Sequence, residues 1–398
     1  MKIGIIKETK TPEDSRVPLS PSQAEQWIRE KHIDLVVQSS NNRVFSDDEY
    51  RLKNIPVVDQ VDDRDILLGV KEVDISALIP GKTYFFFSHT IKAQPYNRDL
   101  LRAVLKRNIR LIDYEVLTDE GGARLIAFGR FAGIVGAHNG IMAYGRRKKE
   151  FELPRLKDLK NYEEARGIYK KITFPPIKVV LTGNGRVANG AAEVLEDMGF
   201  KKVGHRDFIN KSVNHPVFCQ LGPEEYAKHK GDKVFDRADF YDNPGDYRSI
   251  FHPYYRSADV FINGIYWDKR APAFFTQKEM QQTDFNVEVI ADITCDIAPE
   301  SSVPSTLRPS TIDEPLYGYN PVTDKEVEPH LKGAVDVMAI DNLPNELPRD
   351  ASESFGQQFT ERILPELFVK DSPVLKRATI AEKGRLGEYF KYLQDYVS

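Results

Sequence analysis

The stretch Lys178-Val179-Val180-Leu181-Thr182-Gly183-Asn184-Gly185-Arg186-Val187-Ala188-Asn189-Gly190-Ala191 decides how the second half of the chain is interpreted. An apolar run leads into spaced glycines, and an amphipathic segment follows. This order predicts a strand, a tight turn and a helix, the arrangement with which α/β proteins bind a pyrophosphate. Gly183 and Gly185 remove Cβ atoms where backbone N–H groups and the helix N-terminus must approach the phosphates. The pattern is a variant of G-x-G-x-x-G/A, so an ordinary α/β turn is the alternative.

A second strand candidate, residues 201–207, follows that helix and ends on Asp207. Asp207 stands roughly twenty positions past the glycine loop, where the ribose 2′-hydroxyl of a dinucleotide needs an acceptor. A carboxylate there would repel a 2′-phosphate, which favours NAD as the cofactor. Arg206 could neutralise that phosphate, so NADP is the alternative.

Length and composition define the class of protein. The 398 residues allow two domains, and 41% hydrophobic residues are enough for sizeable cores. A net charge of −4 argues against nucleic acid or an anionic membrane surface as a partner. The two cysteines and the scattered histidines predict neither a disulfide framework nor a metal site, and no apolar run reaches membrane-spanning length. We therefore expect a cytoplasmic protein that acts on a small molecule, as a monomer or a homo-oligomer.

Short, nearly continuous apolar runs alternate with helix candidates in both halves of the chain, as strands buried on both faces do. One helix candidate begins at Ser20-Pro21, with Ser20 as the N-cap. The fold class predicted is α/β, with two Rossmann-like, doubly wound parallel-sheet domains and a cleft between them. The runs are residues 3–6, 35–37, 66–70, 84–87 and 109–112, then 179–181, 260–262, 289–291 and 337–340.

The domain boundaries are predicted from the restart of this alternation. Residues 1–135, joined by the C-terminal 350–398, would form a substrate and catalytic domain, and residues 136–349 an NAD-binding domain. Small residues over 131–140 predict close helix packing there rather than catalysis. The irregular segment 210–257, rich in Tyr, Asp and Pro, is a candidate lining of the cleft.

Ionisable residues in the first half follow predicted strands. Lys71 and Glu72 come directly after the run 66–70, and His89 closes the run at 84–88. The carboxyl ends of parallel strands face the ligand crevice, so these side chains could share acid and base work in one pocket. Arg16 could hold a substrate carboxylate. A solvated lysine and a structural histidine are the alternative interpretation.

Several blocks of sequence carry a resemblance to a known family. Residues 3–8, 16–21 and 70–72 resemble the amino-terminal domain of the alanine dehydrogenase and transhydrogenase superfamily. Residues 87–94, 111–115, 127–133, 258–266 and 340–352 are similar to lysine-forming saccharopine dehydrogenase and the related lysine-ketoglutarate reductase. These blocks cover most of the chain.

The resemblance implies a role for individual residues. Lys71 and His89 match the family's acid-base pair, and Glu72 and Glu115 match neighbouring carboxylates. The remaining matches are Arg16, Gln94 and Phe128 for substrate, and Arg124, Gly183, Gly185, Arg186, Val187, Asp207, Gly264, Ile265, Asp341, Asn342, Leu343 and Pro344 for the nucleotide.

The reaction that the resemblance implies is the reversible, NAD(P)-dependent oxidation of the CH–NH bond of saccharopine, which gives L-lysine and 2-oxoglutarate. The residues of the glycine loop differ from those usual in the family, and the segment 210–257 is longer and more aromatic than expected. An alanine-dehydrogenase-like or other opine-type enzyme therefore stays open, as does a catalytically idle nucleotide-binding regulator.

Overall fold

The computed structural model describes all residues from 1 to 398 and divides them into two compact units. Unit 1 consists of Met1–Phe128 and Pro348–Ser398, and unit 2 is the continuous segment Gly129–Leu347. The first division lies at Gly129 rather than at residue 136, because a single long helix begins there and its first turns pack with unit 2.

Eighteen strands occur along the chain. They are β1 (Lys2–Ile5), β2 (Asp34–Gln38), β3 (Val57–Val58), β4 (Ile66–Leu68), β5 (Thr83–Phe86), β6 (Arg110–Asp113), β7 (Lys178–Thr182), β8 (Lys201–Lys202), β9 (Val217–Leu221), β10 (Ala227–His229), β11 (Tyr247–Ser249), β12 (Val260–Asn263), β13 (Val289–Asp292), β14 (Tyr317–Asn320), β15 (Lys325–Val327), β16 (Val335–Met338), β17 (Thr379–Glu382) and β18 (Arg385–Leu386).

The α-helices are fewer and vary widely in length. They are α1 (Pro21–Lys31), α2 (Asp47–Arg51), α3 (Arg98–Lys106), α4 (Gly129–Lys148), α5 (Tyr162–Tyr169), α6 (Arg186–Asp197), α7 (His205–Asn210), α8 (Pro223–Tyr226), α9 (Arg237–Asp242), α10 (His252–Tyr255), α11 (Gln277–Met280), α12 (Pro348–Arg362), α13 (Pro373–Ala378) and α14 (Gln394–Val397).

Unit 1 contains an eight-stranded sheet in the order β18-β17-β6-β5-β4-β1-β2-β3. The strands from β6 to β3 are parallel, as predicted, whereas β17 and β18 add an antiparallel edge. Strand β1 pairs with β2 on one side and with β4 on the other, so the chain reverses its direction across the sheet between β1 and β4. In doubly wound sheets, ligands bind at the carboxyl ends of the strands at such a switch point.

Unit 2 contains a second eight-stranded sheet in the order β15-β14-β16-β13-β12-β7-β9-β8. Its switch point lies between β7 and β12, and β14 with β15 forms an antiparallel edge. Strand β9, which lies inside the segment predicted to be irregular, occupies the position next to β7. The fold class, α/β with two doubly wound sheets, is confirmed, and the correction concerns the antiparallel edges and β9.

Helix α4 packs closely against α6, the helix that directly follows the glycine loop. A Cβ on Gly133 would lie 1.8 Å from the carbonyl oxygen of Val187, and one on Gly190 would lie 2.1 Å from that of Arg130. Only glycine allows the two backbones to approach this closely. The small residues of 131–140 therefore serve packing, as predicted.

None of the helices combines the length and the apolar composition that a membrane span requires. Cys219 and Cys295 are both free thiols.

Candidate functional site

The switch point of unit 1 brings together three of the predicted catalytic residues. Lys71 and Glu72 follow β4, and His89 follows β5. The two strand ends are joined by a hydrogen bond in which the backbone N–H of Phe87 donates to the carbonyl of Val70 at 2.9 Å. Glu72 bonds His89 Nδ1 through Oε1 and accepts from Lys10 Nζ at 2.9 Å through Oε2. These side chains therefore lie together after neighbouring strands, and their catalytic roles stay predictions.

Burial changes the protonation of this cluster. Desolvation, assisted by the positive charge of Arg16, lowers the pKa of Lys71 to about 8. Desolvation also acts to raise the pKa of Glu72, but the hydrogen bond and charge of His89, with help from Lys10, outweigh it and lower that pKa to about 2. The cluster thus holds a permanent carboxylate beside the histidine and an amine that can lose its proton near neutral pH.

Glu8 is a member of this cluster that the sequence analysis did not single out. It follows β1 on the other side of the switch point and accepts the backbone N–H groups of Val70 and Lys71 at 2.7 and 2.8 Å. Desolvation and the nearby Asp14 raise its pKa to about 8. Its position after β1 was the available signal, because the same argument selected Lys71 after β4.

Arg16 is buried in an ion pair rather than presented alone. It donates to both carboxylate oxygens of Asp14, at 2.9 and 2.5 Å, and the two side chains are 3% and 1% exposed. Its guanidinium also lies 4.3 Å from the ring centroid of Phe128, which stacks on Phe355 at 4.5 Å. The predicted substrate residues Arg16 and Phe128 are thus in contact, and Asp14 is a partner that the sequence analysis missed.

Two other predicted site residues of unit 1, Arg124 and Gln94, contact neighbouring side chains. Arg124, expected to contact the nucleotide, pairs with Glu115 at 3.1 Å. Gln94 is exposed, and its side-chain oxygen accepts from the hydroxyl of Tyr96. Its substrate role stays a prediction.

The predicted glycine loop forms at the switch point of unit 2. Gly183 has a φ of 104°, and a Cβ there would lie 2.8 Å from the carbonyl oxygen of Gly264. The loop after β7 and the loop after β12, which continues into Ile265, are therefore adjacent. Gly185 faces open space, no side chain caps the N-terminus of α6, and Arg186 and Val187 form its first turn. These residues fit the phosphates of a dinucleotide, because the helix N-terminus and an unobstructed loop lie on one side.

The segment expected to approach the nicotinamide is anchored within unit 2. Asp341 is exposed and Asn342 partly so, whereas Leu343 and Pro344 are buried and start a 3₁₀ turn. The buried Glu346 that follows accepts from Asn139 and Arg155 at 2.8 and 2.9 Å. Leu343 and Pro344 therefore hold the loop in place, and Asp341 is its accessible residue.

The placement of Asp207 differs from the prediction. The strand expected over 201–207 ends at Lys202, and Asp207 lies on α7, where it pairs with Lys211 at 2.9 Å. Gly204 ends the extended segment because it caps the N-terminus of that helix. Asp207 therefore does not stand at a strand end.

A cavity of 620 Å³ adjoins the glycine loop in unit 2. Residues between Pro223 and Ser249, part of the segment 210–257 that was predicted to line a cleft, form one of its walls. The indole N–H of Trp267, another lining residue, is buried without a hydrogen-bond partner. The aromatic residues that line the cavity are Tyr226, Phe240, Tyr241, Tyr266, Trp267 and Phe274.

Comparison with known proteins first identifies the class of fold. Residues 4–135 match the family model described as "Alanine dehydrogenase/PNT, N-terminal domain". The solved structure of an L-alanine dehydrogenase superposes with a TM-score of 0.66 at 18% identity and covers 100% of both chains. At this identity the similarity shows the fold, which is that of alanine dehydrogenase.

Proteins similar in sequence point to a narrower group of enzymes. The alpha-aminoadipic semialdehyde synthase of Arabidopsis thaliana is 29% identical over 441 residues, 98% of this chain and 41% of that protein. A saccharopine dehydrogenase (NAD(+), L-lysine-forming) of Emericella nidulans is 26% identical over 384 residues, 92% of this chain and 91% of that protein. The chain thus spans less than half the length of the semialdehyde synthase but nearly all of the saccharopine dehydrogenase. The resemblance to this group of enzymes is confirmed.

Proposed function

We propose that this protein is an NAD(P)-dependent oxidoreductase that acts on the CH–NH bond of saccharopine and reversibly gives L-lysine and 2-oxoglutarate. NAD is the favoured cofactor. The observation that carries the proposal is the cluster of Lys71, Glu72 and His89 at the switch point of unit 1. Similarity along nearly the whole length of a lysine-forming saccharopine dehydrogenase supports the choice of substrate.

The side chains of unit 1 suit the proton transfers that this reaction needs. A bound nicotinamide would accept the hydride from the carbon next to the secondary amine. Lys71, with its pKa near 8, would first take the proton from that amine. His89, held by the Glu72 carboxylate, would then deprotonate the water that attacks the imine and return a proton to the departing lysine amine. Arg16 and Phe128 would align a substrate carboxylate.

The residues of unit 2 would hold the cofactor. Backbone N–H groups of the glycine loop and the first turn of α6 would bind the pyrophosphate, and the loop after β12 would position the ribose on the nicotinamide side. Arg124 and Asp341 stay proposed nucleotide contacts.

Steady-state assays of the purified chain test the proposal. NADH oxidation would be followed with 2-oxoglutarate and either L-lysine or ammonia, with Lys71→Met as the background control. We expect oxidation that depends on lysine. Turnover with ammonia alone would instead identify an alanine-dehydrogenase-like enzyme. NADH binding without turnover in either mixture would identify a nucleotide-binding regulator.

A further inference from the structure

The cavity beside the glycine loop has a feature that the proposed function does not use. Its lining includes Arg237, whose Nη2 bonds both oxygens of the Glu224 carboxylate at 2.7 and 2.9 Å. We infer that the adenosine half of the dinucleotide occupies this cavity, and that Glu224, with Arg237, selects the substituent at its ribose 2′ position. The inference deepens the proposed function, on which it rests only in taking a nicotinamide dinucleotide as the cofactor.

The order of strands in unit 2 selects the loop that carries Glu224. In a dinucleotide-binding sheet, the acidic residue for the ribose follows the strand next to the one that carries the glycine loop. Here that neighbour of β7 is β9, and β8 is displaced to the outer edge of the sheet. The loop after β9 therefore takes the place that sequence order alone would give to the loop after β8. Glu224 lies in the first turn of α8, immediately after this loop.

The Glu224 carboxylate lies close to the glycine loop. A Cβ built on Gly222 would be 2.8 Å from Glu224 Oε2 and 2.8 Å from the side-chain nitrogen of Asn184. A carboxylate and a residue between the two loop glycines thus approach the same point from two sides. Gln220, at the end of β9, ties the two segments together by donating to the carbonyl of Gly183 at 3.0 Å.

Asp207 has none of these relations. It lies on the helix after the edge strand, its carboxylate pairs with Lys211, and its side chain is 54% exposed. Glu224, in contrast, pairs with Arg237 and directly follows Pro223, both of which line the cavity. The spacing that favoured Asp207 counts residues along the chain, whereas the ribose would meet the strand that is adjacent in space.

The cavity has the size and lining that an adenosine needs. Tyr226 and Phe274 form an aromatic pair at 5.0 Å on one wall, and Tyr266 with Trp267 follows β12 on another. Aromatic faces stack on a purine, and the unpartnered indole N–H of Trp267 leaves a donor that the protein itself does not satisfy. The phosphates would then lie at Gly185, where the loop is open.

The Glu224–Arg237 pair explains how the site would discriminate. The Glu224 carboxylate can accept a hydrogen bond from the 2′-hydroxyl of NADH while it remains paired with the guanidinium. A 2′-phosphate would meet the same negative charge, and Arg237 would already be occupied. Without the Glu224 charge, Arg237 becomes available to a 2′-phosphate, for which guanidinium is well suited.

The test measures nucleotide binding rather than turnover. Titration calorimetry on the full chain would give Kd for NADH and NADPH, and for 5′-AMP and 2′,5′-ADP, which carry no nicotinamide. In the wild type we expect tighter binding of the nucleotides that lack the 2′-phosphate. Glu224→Gln should reduce that preference on the order of tenfold or more, because it removes a charged hydrogen-bond partner and frees Arg237. Adding Arg237→Ala to Glu224→Gln should abolish the gain in NADPH affinity.

Two further variants separate this inference from its rivals. Asp232→Asn removes an exposed, ion-paired carboxylate from the same segment and should leave the preference unchanged. Asp207→Asn tests the assignment made from sequence spacing. A preference that moves with Asp207→Asn and not with Glu224→Gln would overturn the inference, as would a wild-type chain that binds none of these nucleotides. Absence of lysine-dependent turnover, with the Glu224 effect intact, would contradict the proposed function alone.

Discussion

At the scale of single residues, the candidate site of unit 1 is defined by how buried charges are compensated. Lys71 is desolvated and lies near the positive charges of Arg16 and Lys10, which together destabilise its protonated form. Glu72, in contrast, is stabilised as an anion by His89 and Lys10. Two adjacent residues thus acquire opposite tendencies from their surroundings, an arrangement suited to acid-base work.

The proton-transfer role of Lys71 and His89 gives the first prediction. Lys71→Met or His89→Gln should lower kcat on the order of a hundredfold or more and leave the Kd for NADH nearly unchanged, because each group acts on the amine or the water. Lys92→Met, at an exposed lysine of the same region, is the control and should keep wild-type kcat. Near wild-type kcat in both Lys71→Met and His89→Gln would contradict the mechanism.

The pKa of Lys71 also predicts in which direction activity changes with pH. Lys71 is protonated below its pKa of about 8, so kcat/KM for saccharopine oxidation should rise as pH increases through 8 and level off only above that value. The rising limb should be absent from the residual activity of Lys71→Met. A profile that keeps the same limb in that variant would assign the titration to another group.

The second prediction concerns Arg16, whose environment changes what its removal does. Arg16→Ala would remove the guanidinium that pairs with the buried Asp14 carboxylate, and breaking a buried ion pair typically destabilises a protein by about 3–5 kcal/mol. The variant should therefore unfold at a lower temperature as well as show a raised KM for 2-oxoglutarate. Thermal melts and steady-state kinetics would measure the two effects.

A double variant separates stability from binding. Asp14→Asn combined with Arg16→Met removes both charges and should recover much of the lost stability, whereas KM should stay high. If KM recovers together with the melting temperature, Arg16 supports the fold and does not bind substrate.

Single residues also show what sequence alone could establish. Position after a strand was sufficient to predict that Lys71, Glu72 and His89 lie close together, and their catalytic roles stay predictions. The partners Asp14 and Glu8 were not found, because sequence spacing does not reveal which charges become buried together.

At the scale of elements, the glycine loop combines two different requirements for glycine. Gly133 and Gly190 allow α4 and α6 to touch, whereas Gly185 has a φ of −86° and no atom within 4 Å of the position that a Cβ would take. The first two glycines are needed by the fold. The fold does not require glycine at position 185, because a Cβ there would meet no atom of the protein. We therefore infer that the space beside Gly185 is needed by a ligand.

Three alanine substitutions form the third prediction. Gly185→Ala should leave the melting temperature unchanged and weaken NADH binding on the order of tenfold, because its methyl group would enter the phosphate position. Gly133→Ala should lower the melting temperature, because its Cβ would overlap the Val187 carbonyl. Gly167→Ala, on α5 with open space around it, is the matched control and should be neutral or slightly stabilising.

Calorimetric melts and NADH titrations would separate these variants. Unchanged NADH affinity in a folded Gly185→Ala protein would remove the loop from the proposed cofactor site.

Elements also mark the limit of the sequence interpretation. The apolar run of β9 was hidden in a segment whose composition resembles a loop, and β8 contributes only two residues. Because strand order across a sheet depends on pairing in space, the sequence spacing pointed to Asp207 while the sheet points to the loop after β9.

At the scale of the whole molecule, the chain builds unit 1 from two distant segments. Helix α12 covers α1, where Trp27 donates to Thr360 at 2.7 Å and packs against the Phe359 ring at 5.4 Å. Strand β17 then pairs with β6 and extends the sheet. The sequence predicted that the C-terminal region could return to the first domain, but short antiparallel edge strands left no pattern that distinguishes them from a loop.

This architecture leads to the last prediction. The fragment 129–347 contains one continuous sheet with its own aromatic core, so it should fold alone and bind NADH without any turnover. The fragment 1–347 lacks α12 and β17, so Trp27 would be exposed and β6 would become an open edge. We expect 1–347 to show a single cooperative transition, that of unit 2, by calorimetry, together with weak protection of residues 1–128 in hydrogen exchange. Full protection of residues 1–128 in that fragment would contradict the stabilising role of the C-terminal segment, and loss of NADH binding by a folded 129–347 fragment would contradict the assignment of the cofactor to unit 2.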